Sequence, residues 1–580
     1  MGQPPKVQQV SDPTGTYSFA YDNMGRLIGT TTQYAWLPGL NFQNSYTYDA
    51  ASNRTSLTAP DSSITTYGYD TLNRLNGLAN SWAGSFGFGY DALSRRTSLT
   101  RPTGVNTSYA YDSVSHLLSV LHQAGTTTLD GAGYTYDAAG NRTSKTNYLN
   151  GVTSNYGYDP LYELTQVTQG GSTTASYSYD PVGNRLSSSG VPNYNYNASN
   201  ELTSNSTGSY TYDANGNTLS DAQGRTFTWD FENRLTQAVV PGTNGGTTTF
   251  RYDPFGRRIQ KSGPLGTTNY LYDGTNSVEE VDNVGNEVAG YAQGTGIDQP
   301  LAELRSGTAS FYSQDGLGSV TSLTNSTAGL GNTYNYDSFG NLTASTGTLT
   351  NSLRYTGREF DGETGIDFYR ARYYDTTTGR FLNEDPIRWF SGTADFYGYV
   401  HNDPVGLVDP FGLRGSPSAT GSCIVNALES LFPGLTASVR NAPKPKENGG
   451  HWNFPVQLQF RSSCAANSFY SAYYSGKWPQ VWGPRSRFGS GPALHLENLG
   501  SSWSVSGCTY SISATAHIDL YNPNSSSHGG GGLGGMAGHA GIDGVIGHVV
   551  QGLGSNIDPA NCPWGNGQTC ASTPPCGGCP

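Results

Sequence analysis

Two pairs of residues in the 580-residue chain have the types and the spacing of a hydrolytic or metal-binding site: His517 with Asp519, and His539 with Asp543. Tyr510, Ile512, Ala514, Ala516, Ile518 and Leu520 alternate at period two, which predicts a strand. Ser513, Thr515, His517 and Asp519 then share its opposite, polar face. Farther on, Ile542, Val545, Ile546, Val549 and Val550 mark one face of a helix. His539 and Asp543 stand at i and i+4 on the edge of that face, and His548 falls on the other side. Neutral imidazoles beside carboxylates can ligate a divalent metal or act as an acid–base pair, so these four residues are the candidate effector site and the candidate metal ligands. His528 and His548 are lesser candidates, and His495 with Glu497, flanked by Leu494 and Leu496, is a weaker pair of the same type. The plain alternative is a half-exposed strand and a helix that carry ordinary surface histidines.

The cysteines lie in the same part of the chain. Cys423, Cys464, Cys508, Cys562, Cys570, Cys576 and Cys579 all follow Leu413. The last four are spaced by seven, five and two residues, in a tail (555–580) that suits disulfides of an exported product. Two matched C-x2-C pairs are lacking, so a zinc knot is the weaker reading. An odd total leaves at least one thiol free or intermolecular. Cys576 and Cys579 stand outside any βαβ pattern, which argues against redox catalysis.

Charge divides at the same place. Residues 414–580 carry 8 Lys+Arg and 6 Asp+Glu, net +2, which leaves net -14 for residues 1–413. Six of the nine His also lie beyond Leu413. The chain is therefore two materials joined near residue 413. Its total of 77 Gly and 40 Tyr, with 13% charged residues, excludes coiled coils and helical bundles. Aromatics at 12% supply the large buriable surface that a disordered chain lacks. A net charge of -12 argues against a general nucleic-acid or anionic-membrane binder, and no apolar run approaches the roughly 20 residues of a membrane span. Met1–Val10 lacks the apolar core of a signal peptide, so export by another route or a longer parent chain is expected.

The first part is a repeat. Aromatic-x-aromatic-Asp recurs as YTYDAASNRTSL (Tyr46–Leu57), through YAYDSVSHLLSV and YSYDPVGNRLSS, to FRYDPFGRRIQK (Phe250–Lys261). The motif Asp falls at 22, 49, 70, 91, 112, 137, 159, 180, 213, 230, 253 and 273, and Asn197 and Asp337 belong to the series. Alternating rings define one face of a strand, Asp caps a turn, and Gly or Asn supplies its left-handed residue. Each unit is a hairpin that cannot bury its aromatic face alone, so neighbours must stack. These Tyr and Asp residues read as scaffold and not as a site.

The motif resembles the YD repeats of the RHS and teneurin family over about residues 17–413. That resemblance implies a mainly β fold: a long antiparallel hairpin ribbon wound into a hollow shell around a cargo. The stretch from Phe311 to Leu413 is similar to the RHS-associated core, on the strength of Phe368-Tyr369-Arg370-Ala371-Arg372-Tyr373-Tyr374-Asp375, Gly379-Arg380-Phe381, Asp385-Pro386-Ile387, Tyr399-Val400, Asn402, Pro404 and Asp409-Pro410-Phe411-Gly412-Leu413. In that family the core is an aspartyl-type self-cleaving site that cuts after the final Leu. Carried over by motif, the carboxylates are Asp385 and Asp409, and the scissile bond is Leu413–Arg414. Two carboxylates sharing a proton would activate a water and protonate the carbonyl. Arg388-Trp389 and the segment 391–395 depart from the pattern. Asp395 and Asp403 are competing carboxylates, and a closing plug without activity is the plain reading of the Asp-Pro turns. Arg370, Arg372 and Arg380 are expected to pair with buried carboxylates or to tie the plug to the shell.

The expected domains are a repeat shell over 1–310, a core and cleavage region over 311–413, and a small α+β module over 414–580. In that module a helix follows Ser422, and Val456, Leu458 and Phe460 alternate as a strand. The resemblance implies a secreted or cell-surface polymorphic toxin fragment that releases the module as its enclosed cargo, with an immunity protein and a secretion-system carrier as partners. No cofactor is expected for the shell. The alternative is an adhesion or carbohydrate-binding YD-repeat protein without proteolytic or toxic activity.

Overall fold

The computed structural model describes residues 6–243, 245–388, 393–413 and 415–417. Of the C-terminal part it describes the strands Thr436–Val439, His451–Phe460, Val481–Trp482, Ala493–Glu497, Ser504–Ser506 and Thr509–Asp519. The helices read after Ser422 and around Ile542, and all seven cysteines, lie outside the described residues. Residues 5–421 and 422–580 are separate compact units.

In the first unit the chain runs as a meander, each strand pairing antiparallel with the next. Seventeen strands from Gln9–Asp12 to Arg185–Ser188 form one sheet, and fourteen from Thr211–Tyr212 to Leu342–Thr346 form a second. A three-stranded sheet (Asn195–Tyr196, Leu202–Asn205, Gly208–Ser209) lies between them in sequence. The second sheet runs to Thr346, so the repeat region does not stop at residue 310. The hairpin Leu330–Tyr336 with Leu342–Thr346 keeps the same turn, built on Asp337.

One hairpin shows how the motif works. Gly84–Tyr90 pairs with Arg96–Thr100 around the turn that begins at Asp91. Asp91 Oδ1 accepts the backbone N–H groups of Leu93 and Arg95, each at 2.9 Å, and Ser94 takes the left-handed φ of +61°. Ser52, Ser115 and Tyr162 hold the same position in their turns at +68°, +76° and +68°. The side-chain cap is thus strong enough to hold residues other than Gly and Asn there. Arg95 closes the turn through Nε on Asp91 Oδ2 at 2.6 Å. Its Nη1 donates to the carbonyl of Asp112, in the next turn along the row, at 2.8 Å.

The two motif aromatics have different jobs. Phe88 is buried, whereas the register shifts between Gly89 and Tyr90 so that Tyr90 reaches back and donates to Leu75 O at 2.8 Å. The same shift and the same backward bond recur at Tyr48, Tyr69, Tyr111, Tyr136, Tyr158 and Tyr179. The second ring is mortar between hairpins. Tyr90→Phe is expected to lower stability by about 1 kcal/mol, seen as an earlier urea midpoint with an unchanged slope.

The buried faces of the two sheets meet through shared cores. Tyr46, Leu57, Tyr67, Leu78, Phe86 and Leu99 of the first pack with Val278, Ala292, Leu301 and Phe311 of the second. Tyr17, Tyr34 and Phe42 do so with Ile259, Leu271 and Val281. Polar links cross the same junction: Tyr34 Oη donates to Tyr270 O at 2.6 Å, and Lys145 pairs with Asp315 at 2.6 Å. Where the sheets meet, side chains fill the space between them.

The segment after Thr346 packs on the second sheet as a four-stranded sheet, Glu359–Asp361, Ile366–Tyr369, Arg372–Asp375 and Arg380–Phe381. Its charged residues fasten it to the ribbon. Arg258 meets Glu359 and Asp361, Arg225 meets Asp375, and Asn402 Nδ2 donates to Glu163 and to Gly183 O. In the second unit, the sheet order is Thr436–Val439, His451–Phe460, Thr509–Asp519, Ala493–Glu497, Val481–Trp482, and Ser504–Ser506 also pairs with Thr509–Asp519. The strands expected around Val456 and Tyr510 are both present.

Candidate functional site

The fold brings Asp385 and Asp409 to one guanidinium. Arg372 lies on the strand Arg372–Asp375, and its Nη2 meets Asp385 Oδ2 at 2.9 Å and Asp409 Oδ2 at 3.3 Å. All three side chains are about 2% exposed. Arg372 Nη1 donates to Phe396 O at 3.0 Å, and Nε donates to Gly412 O. The guanidinium plane also lies 3.6 Å from the Phe381 ring centre, so packing as well as hydrogen bonds fixes its orientation.

The chain end that the resemblance marks for cleavage is held at the same place. Asp409 Oδ1 accepts the N–H of Leu413 at 2.9 Å, and Gly412 closes the turn by donating to Asp409 O. Gly412 sits at φ +68°, where a Cβ would meet Tyr369 O at 2.3 Å. Only glycine fits there. Ala371 N donates to Phe411 O, and Arg370 Nη1 donates to Pro410 O. Residues 410–413 are therefore pinned at three carbonyls and two amides. Arg414, on the other side of the bond that the resemblance marks, lies outside the described residues.

Burial drives the Asp385 carboxyl up to about 6, and the Asp409 charge adds to this, against the pull of Arg372 and the Ile387 N–H. Burial lowers Arg372 from its ordinary value, and the two carboxylates oppose that shift. The site thus holds a carboxyl that keeps its proton at mildly acid pH beside a second carboxylate that touches the Leu413 amide.

The competing carboxylates are placed elsewhere. Asp395 is clamped by Arg380 at 2.9 Å, and Asp403 accepts the Gly406 N–H in its own turn. Arg370 pairs with Asp298 at 2.8 Å, so each of the three motif arginines has a carboxylate partner. Arg388, at the first departure from the family pattern, is exposed and pairs with Glu384 at 3.0 Å. Among the described residues of 6–417, no group of three His, Cys, Asp or Glu is arranged to hold a metal. No helix among the described residues is long and apolar enough to cross a membrane.

In the second unit, His517 and Asp519 lie on the strand Thr509–Asp519, and His495 and Glu497 lie on its neighbour Ala493–Glu497. His539, Asp543, His528 and His548 lie outside the described residues. The register adds a residue that spacing alone did not mark: His451, paired directly with Asp519. Its signal was the alternation of HWNFPVQLQF, readable only once the neighbouring strand is known.

Residues 135–405 match the family model described as the teneurin YD-shell. That stretch is a teneurin-type YD-shell region. The chain is 30% identical over 308 residues to the tRNA3(Ser)-specific nuclease WapA of Bacillus spizizenii, a match covering 51% of the chain and 11% of that relative. It is also 30% identical over 200 residues to the double-stranded DNA deaminase toxin A of Burkholderia cenocepacia, covering 29% and 14%. Among solved structures, its fold matches the crystal structure of TcdB2-TccC3-Cdc42 with a TM-score of 0.62 at 19% identity, covering 70% of the chain and 24% of that one. The chain thus spans between a tenth and a quarter of the length of these three.

Proposed function

We propose that this chain is part of an RHS-type polymorphic toxin whose core cuts the Leu413–Arg414 bond and frees residues 414–580 as the effector. The carrying observation is the junction of Asp385, Asp409 and Arg372 at the pinned Leu413 amide. The relatives whose names denote nucleases and a deaminase toxin support the effector reading of the released part.

In this mechanism Asp409 is ionised and Asp385 carries the proton. Asp409 takes a proton from a water as its oxygen attacks the Leu413 carbonyl carbon. Asp385 delivers its proton to the carbonyl oxygen, giving a neutral tetrahedral diol. The proton taken by Asp409 then passes to the Arg414 nitrogen while a diol proton returns to Asp385. The C–N bond breaks, leaving a carboxyl at Leu413 and an amine at Arg414. Arg372 holds both carboxylates and the Gly412 carbonyl through these steps, so the reacting groups keep their places.

The freed module would remain the enclosed cargo of the complete shell until delivery, with an export carrier, an extracellular or surface location and an immunity protein in the producing cell. Its chemistry is proposed to be hydrolytic. Intact-mass measurement on the expressed chain tests the cleavage. Two fragments, one ending at Leu413 and one beginning at Arg414, are expected, and Asp409→Asn should give one uncut mass. Asn can still accept the Leu413 N–H, so that variant removes the base while leaving the turn in place. A single uncut species from the unaltered chain under native conditions would sink the proposal, and the adhesion reading would then gain.

A further inference from the structure

One carboxylate from the ribbon, outside the core segment, reaches the turn that ends at Leu413. Asp298 lies in residues 294–299, which join the strands Glu287–Gln293 and Pro300–Arg305 of the second sheet. Its side chain sits between two arginines of the core segment. Asp298 Oδ1 meets Arg358 Nη1 at 2.5 Å and Arg370 Nη2 at 2.8 Å, and Oδ2 accepts from Arg370 Nη1 at 3.1 Å. All three side chains are largely buried. Burial opposes the charge of Asp298, yet Arg358 and then Arg370 hold its carboxyl below the ordinary value, so it stays ionised.

The loop is built to place this carboxylate. Asp298 takes the left-handed φ of +53°, which Asp tolerates better than most residues. Asn276 Nδ2 donates to Gly296 O at 3.1 Å, Gly294 N to Gln299 O at 2.9 Å, and Gln314 Nε2 to Asp298 O at 3.2 Å. Gly357 lies against the loop, where a Cβ would stand 3.3 Å from both the Cβ and the carbonyl oxygen of Asp298.

The two arginines carry this placement to the turn. Arg358 donates to Phe368 O through Nε at 3.2 Å and Nη2 at 2.9 Å, which holds the strand Ile366–Tyr369. Tyr369 pairs with Arg372, so Arg370 and Ala371 form the two-residue turn between those strands. One donor from each of residues 370, 371 and 372 then reaches one of three consecutive carbonyls: Arg370 Nη1 to Pro410, Ala371 N to Phe411 and Arg372 Nε to Gly412. Arg372 is fixed from within the core segment, by Phe381, Asp385 and Asp409. Arg370 is fixed from the ribbon, by Asp298 and by Thr275 O at 3.4 Å.

We propose that Asp298 is a positioning residue for the cut at Leu413–Arg414: by clamping Arg358 and Arg370 it makes the hold on residues 410–412 depend on seating of the core segment on the second sheet. This rests on the reading of Leu413–Arg414 as the bond that is cut. A core segment not yet seated lacks the clamp, leaves Pro410 O without its fixed donor and cuts slowly. Seating completes the hold, and the cut follows. Without the Asp298 charge, two guanidiniums face each other across the space it filled, and Arg370 turns away from Pro410 O.

The test follows cutting of the full chain by intact mass, with Asp298→Asn and Arg370→Gln made separately and together. Asn keeps the size and the left-handed conformation of Asp298 but turns an N–H toward one guanidinium. Each single variant is expected to cut about 10- to 100-fold more slowly, the scale of a small misplacement of reacting groups. The double variant should be no slower than the slower single one, because both changes remove the same hold. The fall in rate with rising pH should keep its midpoint at about 6, since neither change touches Asp385. Hydrogen exchange is followed in chains that also carry Asp409→Asn, so that none is cut. It should be faster at Phe411–Leu413 in the Asp298→Asn and Arg370→Gln chains and unchanged at Tyr46–Leu57. Original cutting rates in both single variants, multiplied losses in the double variant, a displaced pH midpoint or unchanged exchange at Phe411–Leu413 would each overturn the proposal. A chain that is never cut would sink the cleavage reading, and the exchange result would still decide whether Asp298 holds the turn.

Discussion

An Asp385→Asn chain is expected to fold, remain uncut and lose the pH dependence of the junction. In the proposed mechanism Asp385 is the proton donor, and burial has raised its carboxyl to about 6. Cleavage should therefore be fastest below that value and fall by about tenfold per pH unit above it, since only the protonated fraction is competent. Stability has a sign of its own. The folded carboxyl holds its proton more tightly than the unfolded one, so its contribution is fully present below the unfolded value and is lost as pH rises from about 4 to about 6. Asn removes that dependence, yet its amide oxygen can still accept the Ile387 N–H that Asp385 accepts at 2.9 Å. The measurement is a time course of intact masses between pH 4.5 and 8, with urea midpoints across the same range. A cleavage rate that rises through pH 6 would reverse the roles of Asp385 and Asp409. An Asp385→Asn chain that cuts at the original rate would remove Asp385 from the chemistry.

Much of this arrangement was legible in the sequence, but unevenly. The hairpin turns were, because Asp and the residue four later interact locally and the signal repeats. The second tyrosine of each motif was not. Its displacement depends on an extra residue opposite the partner strand, and a bulge is visible only when both strands are known. Asp385 and Asp409 are 24 positions apart, and nothing in that separation brings them together. The family motif marked both, and Arg372 is the contact that joins them. Asp395 could not be set aside by type or spacing, since Arg380, its partner, lies fifteen residues away on the far side of the departure from the pattern. In the second unit each strand's alternation was readable, whereas the neighbours of Thr509–Asp519 were not. For that reason His451 joined the polar face only through the register.

The largest effect on stability is expected at Arg258, where the ribbon holds the core segment. Arg258 is fully buried, with Nη2 on Glu359 at 2.7 Å and Nη1 on Asp361. Its guanidinium lies over Phe368, 4.3 Å from the ring centre, and closer to it than to Tyr270 or Phe250. Replacing it with Met fills the space but leaves two carboxylates facing a buried site. Lys261 can answer only in part, at 3.3 Å from Asp361. Breaking such a pair by removing one partner costs about 3–5 kcal/mol, because the remaining charge has lost its solvent and its counter-ion. Arg258→Lys should recover little of it, since one ammonium cannot serve two carboxylates and stack on a ring as the planar fork does. A chain with Arg258→Met, Glu359→Gln and Asp361→Asn together should recover much more, by removing the stranded charges themselves. The loss should also reach the proposed cleavage site. Glu359–Asp361 pairs with Ile366–Tyr369, which pairs with Arg372–Asp375, so the clamp stands two strands from the guanidinium that gathers Asp385 and Asp409. Arg258→Met is therefore expected both to unfold at lower urea and to cut more slowly, with the triple variant regaining both. Slow cutting that persists after stability has returned would mean that Arg258 positions the junction through a route other than this sheet.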